Sequence, residues 1–280
     1  MPERDYIGDS VLLPHRARSP FVALEFGILR VAEYSLYLDR NDGSGIEIPV
    51  GMISTLLIEP GVSVTHEAIK LASEHHVLLL WVGEAGIRVY SAGIPGGRSG
   101  TRIVRQALQH ASHEARMAAA KRLYRLMFDD DMPDTRSFDK LRGIEGAKVK
   151  HLYQKIAIDS GVEWGGRHNS MPALQDAIGF AASCLYGLSE TVILASGYSP
   201  AIGVVHSGDS RSLVFDLADT IKFKTVIPLA FRVFSDSEVD VKGRVRRACR
   251  DLFREQKTAE TLFNNLAEIL GKDVHCPEDL

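Results

Sequence analysis

The sequence predicts an α+β protein in which strands come first and helices follow. Three observations carry this reading. Residues 21–92 are rich in β-branched and aromatic residues punctuated by turn signals. Residues 93–100, Gly-Ile-Pro-Gly-Gly-Arg-Ser-Gly, form a break dense in Gly and Pro. After Thr101 the apolar residues recur at helical spacing. The expected organisation is therefore a β-domain over 1–93, a linker over 94–100 and an α-helical domain over 101–280.

The first segment, FVALEFGILRVAEYSLYLDR, reads as strand broken at Gly27. Asn41-Asp42-Gly43 is a turn, and the apolar stretch IEIPVGMISTLLIEPG follows it. HEAIKLASEHH is a short helix that Thr65 can cap, with Ala68, Leu71 and Ala72 on one inward face. The strand VLLLWVG and the turn Glu84-Ala85-Gly86 lead into IRVYSAG. Beyond the break, TRIVRQALQHASHEARMAAAKRLYRLMF reads as one long helix, with Met132-Pro133 interrupting the pattern. GIEGAKVKHLYQKIAID is expected to be a second helix opening at a glycine. ALQDAIGFAASCLYGLSETVILASG is a third, apolar nearly all round, as a central core helix is. Ser199-Pro200 breaks the helical pattern. RRACRDLFREQ and TLFNNLAEIL are helical again, and DVHCPEDL reads as a frayed tail.

Composition narrows the function class. Hydrophobic content of 45% and charged content of 25% are ordinary globular values and exclude a disordered or collagenous chain. No apolar run is read as reaching the roughly 20 residues that cross a bilayer. The polar start MPERDYIGDS carries no signal core, so a cytoplasmic protein is expected. Cys184, Cys249 and Cys276 are scattered, without CxxC spacing, which argues against a disulfide framework or a zinc ribbon. The net charge is −3, but basic residues cluster between Arg98 and Arg125 and again between Lys242 and Arg254. Such faces attract phosphate, and they also serve simply as solvated helix faces.

The richest stretch runs from Ala195 to Lys222. His206 closes an apolar run there. Asp216 and Asp219 follow inside FDLADTIK, and their spacing of three puts both on one side of a helix, with Lys222 one further step along. One imidazole and two carboxylates suit a hard divalent cation. Glu145, between Gly143 and Gly146, is the third acid of interest, because small neighbours permit close backbone approach. Each residue also has a structural reading. The acids serve as charges near helix N-termini, and a lone histidine serves as a buried, satisfied side chain. His110, His113 and Glu114 read as another candidate helical face, or as a solvated one. No GxSxG, HExxH or GxGxxG is present, so a serine or cysteine nucleophile has no support.

Several separated stretches carry a resemblance: EPGVSVTHEAIKLASEHHVLLLWVGEAGIRVYSAGIPGG, LRGIEGAKVK, SCLYGLSETVILASGYSPAIGVVHSGDSRSLVFDLADTIKF and RRACRDLFR. Together they resemble the CRISPR-associated integrase of spacer acquisition, in the subtype that works beside a Cascade-type complex. The resemblance spans about Phe21 to about Leu270. It implies a small N-terminal β-domain followed by a larger C-terminal all-α domain. It implies a Mg²⁺ or Mn²⁺ site formed by Glu145, His206 and Asp219, with Asp216 close by. Asp219 stands where many members carry glutamate. Arg88 matches the family's arginine after the glycine turn. Phe26 matches an aromatic that stacks on the end of a DNA duplex. Ser63 stands where some relatives carry an arginine.

The resemblance also implies the chemistry. A DNA 3′-hydroxyl attacks a phosphate in line at a bound cation, without a covalent enzyme intermediate, and inserts short duplex fragments into a repeat array. Lys222, Lys224, Arg246 and Arg250 are the expected phosphate contacts. The expected partners are double-stranded DNA, a second copy of the chain, and a small second adaptation protein in a hetero-hexamer. No membrane is expected to take part. The competing expectations are a general metal-dependent nuclease acting in repair or on branched DNA, and a non-catalytic DNA-binding scaffold.

Overall fold

The structure is a computed structural model and describes residues 22–53, 55–83, 89–93, 100–130, 135, 137–166 and 170–271. These fall into two compact units. The first holds residues 22–82 and 90–93, and the second holds residues 83, 89 and 100–271. Most of the expected linker 94–100 and the turn at 84–86 lie outside the described residues.

Strands build the first unit. They are β1 (Val22–Leu24), β2 (Gly27–Ala32), β3 (Ser35–Asp39), β4 (Gly45–Ile48), β5 (Thr55–Ile58), β6 (Val62–Val64), β7 (Leu78–Val82) and β8 (Val89–Gly93), with helix α1 (His66–Glu74) before β7. They form two four-stranded sheets, ordered β1-β5-β7-β8 and β4-β3-β2-β6. β5 runs parallel to both β1 and β7 and is buried at every position, as a central parallel strand is. In the second sheet, alternate residues Leu29, Leu36, Leu38 and Ile48 turn inward. They join Leu24, Leu56, Ile58 and Leu79 of the first sheet, and Ala68 and Ala72 of α1, in one core.

The turns follow from backbone sterics. The expected Asn41-Asp42-Gly43 turn joins β3 to β4. Gly43 has φ 82°, and the Asp42 carboxylate accepts from the Ser44 N–H at 2.9 Å. The β2–β3 hairpin closes through Glu33 and Tyr34, both at positive φ (47° and 68°). That is the backbone a two-residue hairpin turn needs. No Gly or Asn marks it, so this turn carries no sequence signal. Thr65 caps α1 as expected, accepting from the Ala68 N–H at 3.3 Å.

Helices build the second unit: α2 (Thr101–Ala111), α3 (His113–Phe128), α4 (Phe138–Asp159), α5 (Pro172–Ala195), α6 (Ser212–Lys222), α7 (Val226–Asp236), α8 (Val241–Glu255) and α9 (Thr258–Leu270). The expected single helix over 101–128 is two. Ser112 is extended (ψ 116°), and its hydroxyl caps α3 through the Ala115 N–H. α4 starts at its Ser137 cap rather than at a glycine. Glu145 therefore sits two turns inside the helix, beyond the first-turn position where an acid acts as a dipole charge. α7 was not anticipated.

α5 is the central helix and packs against α6, α7, α8 and α9. Leu174, Ala177, Ala181, Leu185, Val192 and Ile193 are fully buried. By length and composition alone it is the one helix among the described residues apolar enough to cross a membrane, which corrects the sequence expectation; 56% of its most apolar window is buried inside the unit. Leu185 is wholly enclosed, so Leu185→Ala is expected to cost about 2–5 kcal/mol, read as a fall in the urea midpoint at unchanged slope.

Candidate active site

The site grows from α6. Ten of its eleven residues are buried, including Asp216, Asp219, Thr220 and Lys222. Buried polar groups need partners, and these residues have them. Asp216, with 0% exposure, accepts from the backbone N–H groups of Val204, Val205 (3.1 Å) and His206 (3.0 Å). Its Oδ1 also takes the His206 Nδ1–H at 2.7 Å. The segment before α6 is thus wrapped around a carboxylate.

The carbonyls of the same segment are taken by three other helices. His110 of α2 meets the Gly203 carbonyl at 2.6 Å. Arg116 of α3 donates to Val204 O at 2.6 Å, and Arg142 of α4 donates to Val205 O at 2.9 Å. Gln106 of α2 bonds Ser199 O and Ile202 O, and accepts from the Ser199 N–H. Gly203 is required here: a Cβ would sit 2.4 Å from His206 O and 2.8 Å from Asp216 Oδ2.

His206 is thereby fixed in place and in tautomer. With Nδ1–H given to Asp216, Nε2 carries the free lone pair of the neutral ring. The ring packs edge-on to Phe215, 5.7 Å between centroids. Its pKa is raised, first by the Asp216 hydrogen bond, against burial, with the charges of Asp216, Asp219 and Glu145 adding to the effect. All three acids therefore act on one imidazole.

Each remaining acid has a hydrogen-bonding partner. The Glu145 carboxylate accepts from the Tyr124 hydroxyl at 2.9 Å. Burial, and then the Glu145 charge, push the Tyr124 phenol far above its ordinary range. Asp219 forms a buried ion pair with Lys222, whose ammonium lies 5.9 Å from the Tyr186 ring and 5.5 Å from the Phe223 ring. Among the described residues, no three or more His, Cys, Asp and Glu side chains are placed together so that they could hold a metal ion. As residue types, one imidazole and two carboxylates are the donors a hard cation takes.

The other sequence candidates are placed as follows. Phe26 lies between β1 and β2 at φ 48°, 65% exposed. Its ring covers Gly61, where a Cβ would approach to 2.6 Å. Arg88 lies outside the described residues. Lys222 is buried on Asp219. Lys224 is exposed and bonds Leu126 O and Asp129 at the end of α3. On α8, Arg250 is exposed and pairs with Asp251, and Arg246 is half-buried. The first basic stretch is in part structural: Arg102 donates to Ser196 O and Arg122 to Ile269 O. His110 and His113 sit on different helices, and His113 packs on Phe138. Tyr124, Gln106, Arg116 and Arg142 were not singled out by sequence reasoning, because their partners lie about 20 to 95 positions away.

Comparison with known proteins matches residues 22–129 and 127–266 to the family model described as CRISPR associated protein Cas1. A CRISPR-associated endonuclease Cas1 of Escherichia coli (strain K12) is 38% identical over 265 residues, covering 92% of this chain and 87% of its own length. One from Geobacter sulfurreducens is 37% identical over 274 residues, covering 95% and 90%. The crystal structure of the TtCas1–DNA complex superposes with a TM-score of 0.84 at 30% identity, covering 91% of this chain and 97% of that one. A casposase bound to its integration product shares the fold at a TM-score of 0.61 and 14% identity, covering 89% and 93%.

Asp216→Asn is expected to destabilise the chain by roughly 1–3 kcal/mol, because a carboxamide cannot accept from all the backbone N–H groups around it and leaves a buried donor unsatisfied. It should also return the His206 pKa toward 6.5, read by NMR titration in chelator. In the parent chain a raised folded-state pKa adds stability that is full below pH 6.5 and fades as pH rises through the raised value. The Asn variant should lose that pH dependence in denaturant titrations. Gly203→Ala should lower the melting temperature by forcing this segment off Asp216.

Proposed function

The chain belongs to the CRISPR-associated Cas1 family, and from that premise we propose that it is a divalent-metal-dependent DNA integrase with endonuclease activity at the same site. The observation that carries this is the His206 ring, held on Asp216 through Nδ1 and lying in the field of Glu145 and Asp219. Relatives at 37–38% identity are endonucleases by name. The DNA-complexed TtCas1, alike in fold over nearly the whole chain, supports DNA as the substrate.

Glu145, His206 through Nε2, and Asp219 would hold Mg²⁺ or Mn²⁺. When bound, the cation supplies neutralisation of a DNA phosphate and a lower pKa for an attacking hydroxyl. The chain's own residues do the rest. Asp216 keeps the His206 proton on Nδ1 and the ring in one orientation. Lys222 balances the charge of Asp219. In the proposed reaction a DNA 3′-hydroxyl oxygen forms a bond to a phosphorus of the repeat array. The in-line P–O bond to the departing 3′-oxygen breaks; the attacking hydroxyl gives up its proton and the departing oxygen takes one up to become a 3′-hydroxyl, so strand joining is a transesterification. With water as the nucleophile, the same site would cleave DNA, in keeping with the endonuclease name of the relatives.

Phe26 would stack on a duplex end, and Arg88, Lys224, Arg246 and Arg250 would contact backbone phosphates without reading bases. A second copy of the chain and a small second adaptation protein would complete a hetero-hexamer on the DNA, in the cytoplasm.

Glu145→Ala and His206→Ala are each expected to abolish joining of a short duplex to a repeat-bearing plasmid while still melting cooperatively, Glu145→Ala at a somewhat lower temperature because the buried Tyr124 hydroxyl loses its acceptor. For Asp219, Asn is the better test, because Ala strands the buried Lys222 charge. Full joining by any of these variants overturns the assignment, as does undiminished joining after exhaustive chelation. A scaffold without catalysis would tolerate His206→Ala; a nuclease alone would give shortened DNA and no joined product.

A further inference from the structure

We infer that Tyr124 is a positioning residue for the candidate cation site: it holds the Glu145 carboxylate by Oε2, which would leave Oε1 to serve as the ligand atom. This rests on Glu145 being a ligand, as proposed above.

The argument starts from burial. The Tyr124 side chain is 1% exposed, so its hydroxyl has no water and must find a protein acceptor. The acceptor is Glu145 Oε2 at 2.9 Å. Glu145 itself is only half-buried, on a long side chain that loses rotamer freedom when fixed. A hydrogen bond to one oxygen fixes the carboxylate and leaves the other oxygen with its lone pairs.

Tyr124 is itself held. Its ring stacks on Phe128, 6.2 Å between centroids and 19° between planes, with Leu123 and Met127 buried beside it on α3. α3 also carries Arg116, which holds Val204 O beside His206. One helix thus positions two of the three proposed ligands, Glu145 through Tyr124 and His206 through its backbone segment. Hydrogen bonding to ligating carboxylates tunes affinity in metal sites generally.

The test uses the full chain and Mn²⁺ alone as probe, with free Mn²⁺ followed by electron paramagnetic resonance. Tyr124→Phe keeps the ring and removes only the donor; Tyr124→Met also fills the space without one. Both are expected to weaken Mn²⁺ binding roughly 10–100-fold. Both should also raise the Mn²⁺ needed for half-maximal strand joining, with much of the rate returning at saturating Mn²⁺. Melting in chelator shows that the variants fold. Mn²⁺ affinity within about twofold of the parent in both variants, with Glu145→Ala losing it, overturns the Tyr124 inference alone. Unchanged affinity in Glu145→Ala overturns the ligand reading and this inference with it.

Discussion

A carboxylate cut off from water has to be surrounded by donors, and among the described residues those of Asp216 come from Val204, Val205 and His206. The arrangement works in both directions. The backbone N–H groups stabilise a charge that would otherwise be costly to bury. The charge, in turn, dictates the path of the segment that carries the histidine. His110, Arg116 and Arg142 finish the job by taking the carbonyls of residues 203–205. Gly203 has no side chain because none fits between His206 O and Asp216.

The rest of the helical unit serves α6. A helix burying two carboxylates and an ammonium is poor in local stability, since desolvation costs several kcal/mol per ion. It persists because α5 gives it an apolar wall and Lys222 neutralises Asp219 within one turn. Asn265 of α9 donates to the Thr220 hydroxyl of α6, which in turn donates to Leu217 O. The polar groups are concentrated on one helix and the apolar burial is delegated to its neighbours. In the first unit, the exposed Phe26 is held by the opposite device. A left-handed backbone and a bare Gly61 beneath the ring present it outward.

Much of the fold was legible because it follows short-range rules. Thr65, the Asn41-Asp42-Gly43 turn and the apolar periodicity of α5 act within a few residues of themselves. The misreadings have equally physical causes. Ser112 lies in an unbroken helical pattern, but its hydroxyl offers the next helix a better cap than the continuing helix offers its backbone. Glu33 and Tyr34 adopt a turn that Asn and Gly usually mark, because the pairing of β2 with β3 outweighs their steric cost. Glu145 looked like a first-turn charge only because the start of α4 at Ser137 was not seen.

The amino-acid sequence by itself determined the order of the two units, the apolar core helix, and the residue types at Glu145, His206, Asp216 and Asp219. A helical spacing of three is local geometry, so the alignment of the two aspartates followed from it. Only the tertiary structure decided what those residues do to one another. It separated Asp216, which spends both oxygens on residues 204–206, from Asp219, which keeps its charge for Lys222. It also brought Tyr124 to Glu145 and Arg116 and Arg142 to the histidine segment. Hydrogen bonds act over about 3 Å, whereas these partners lie tens of positions apart along the chain. No local pattern records such a meeting; the packing of α2, α3 and α4 around the 199–206 segment creates it.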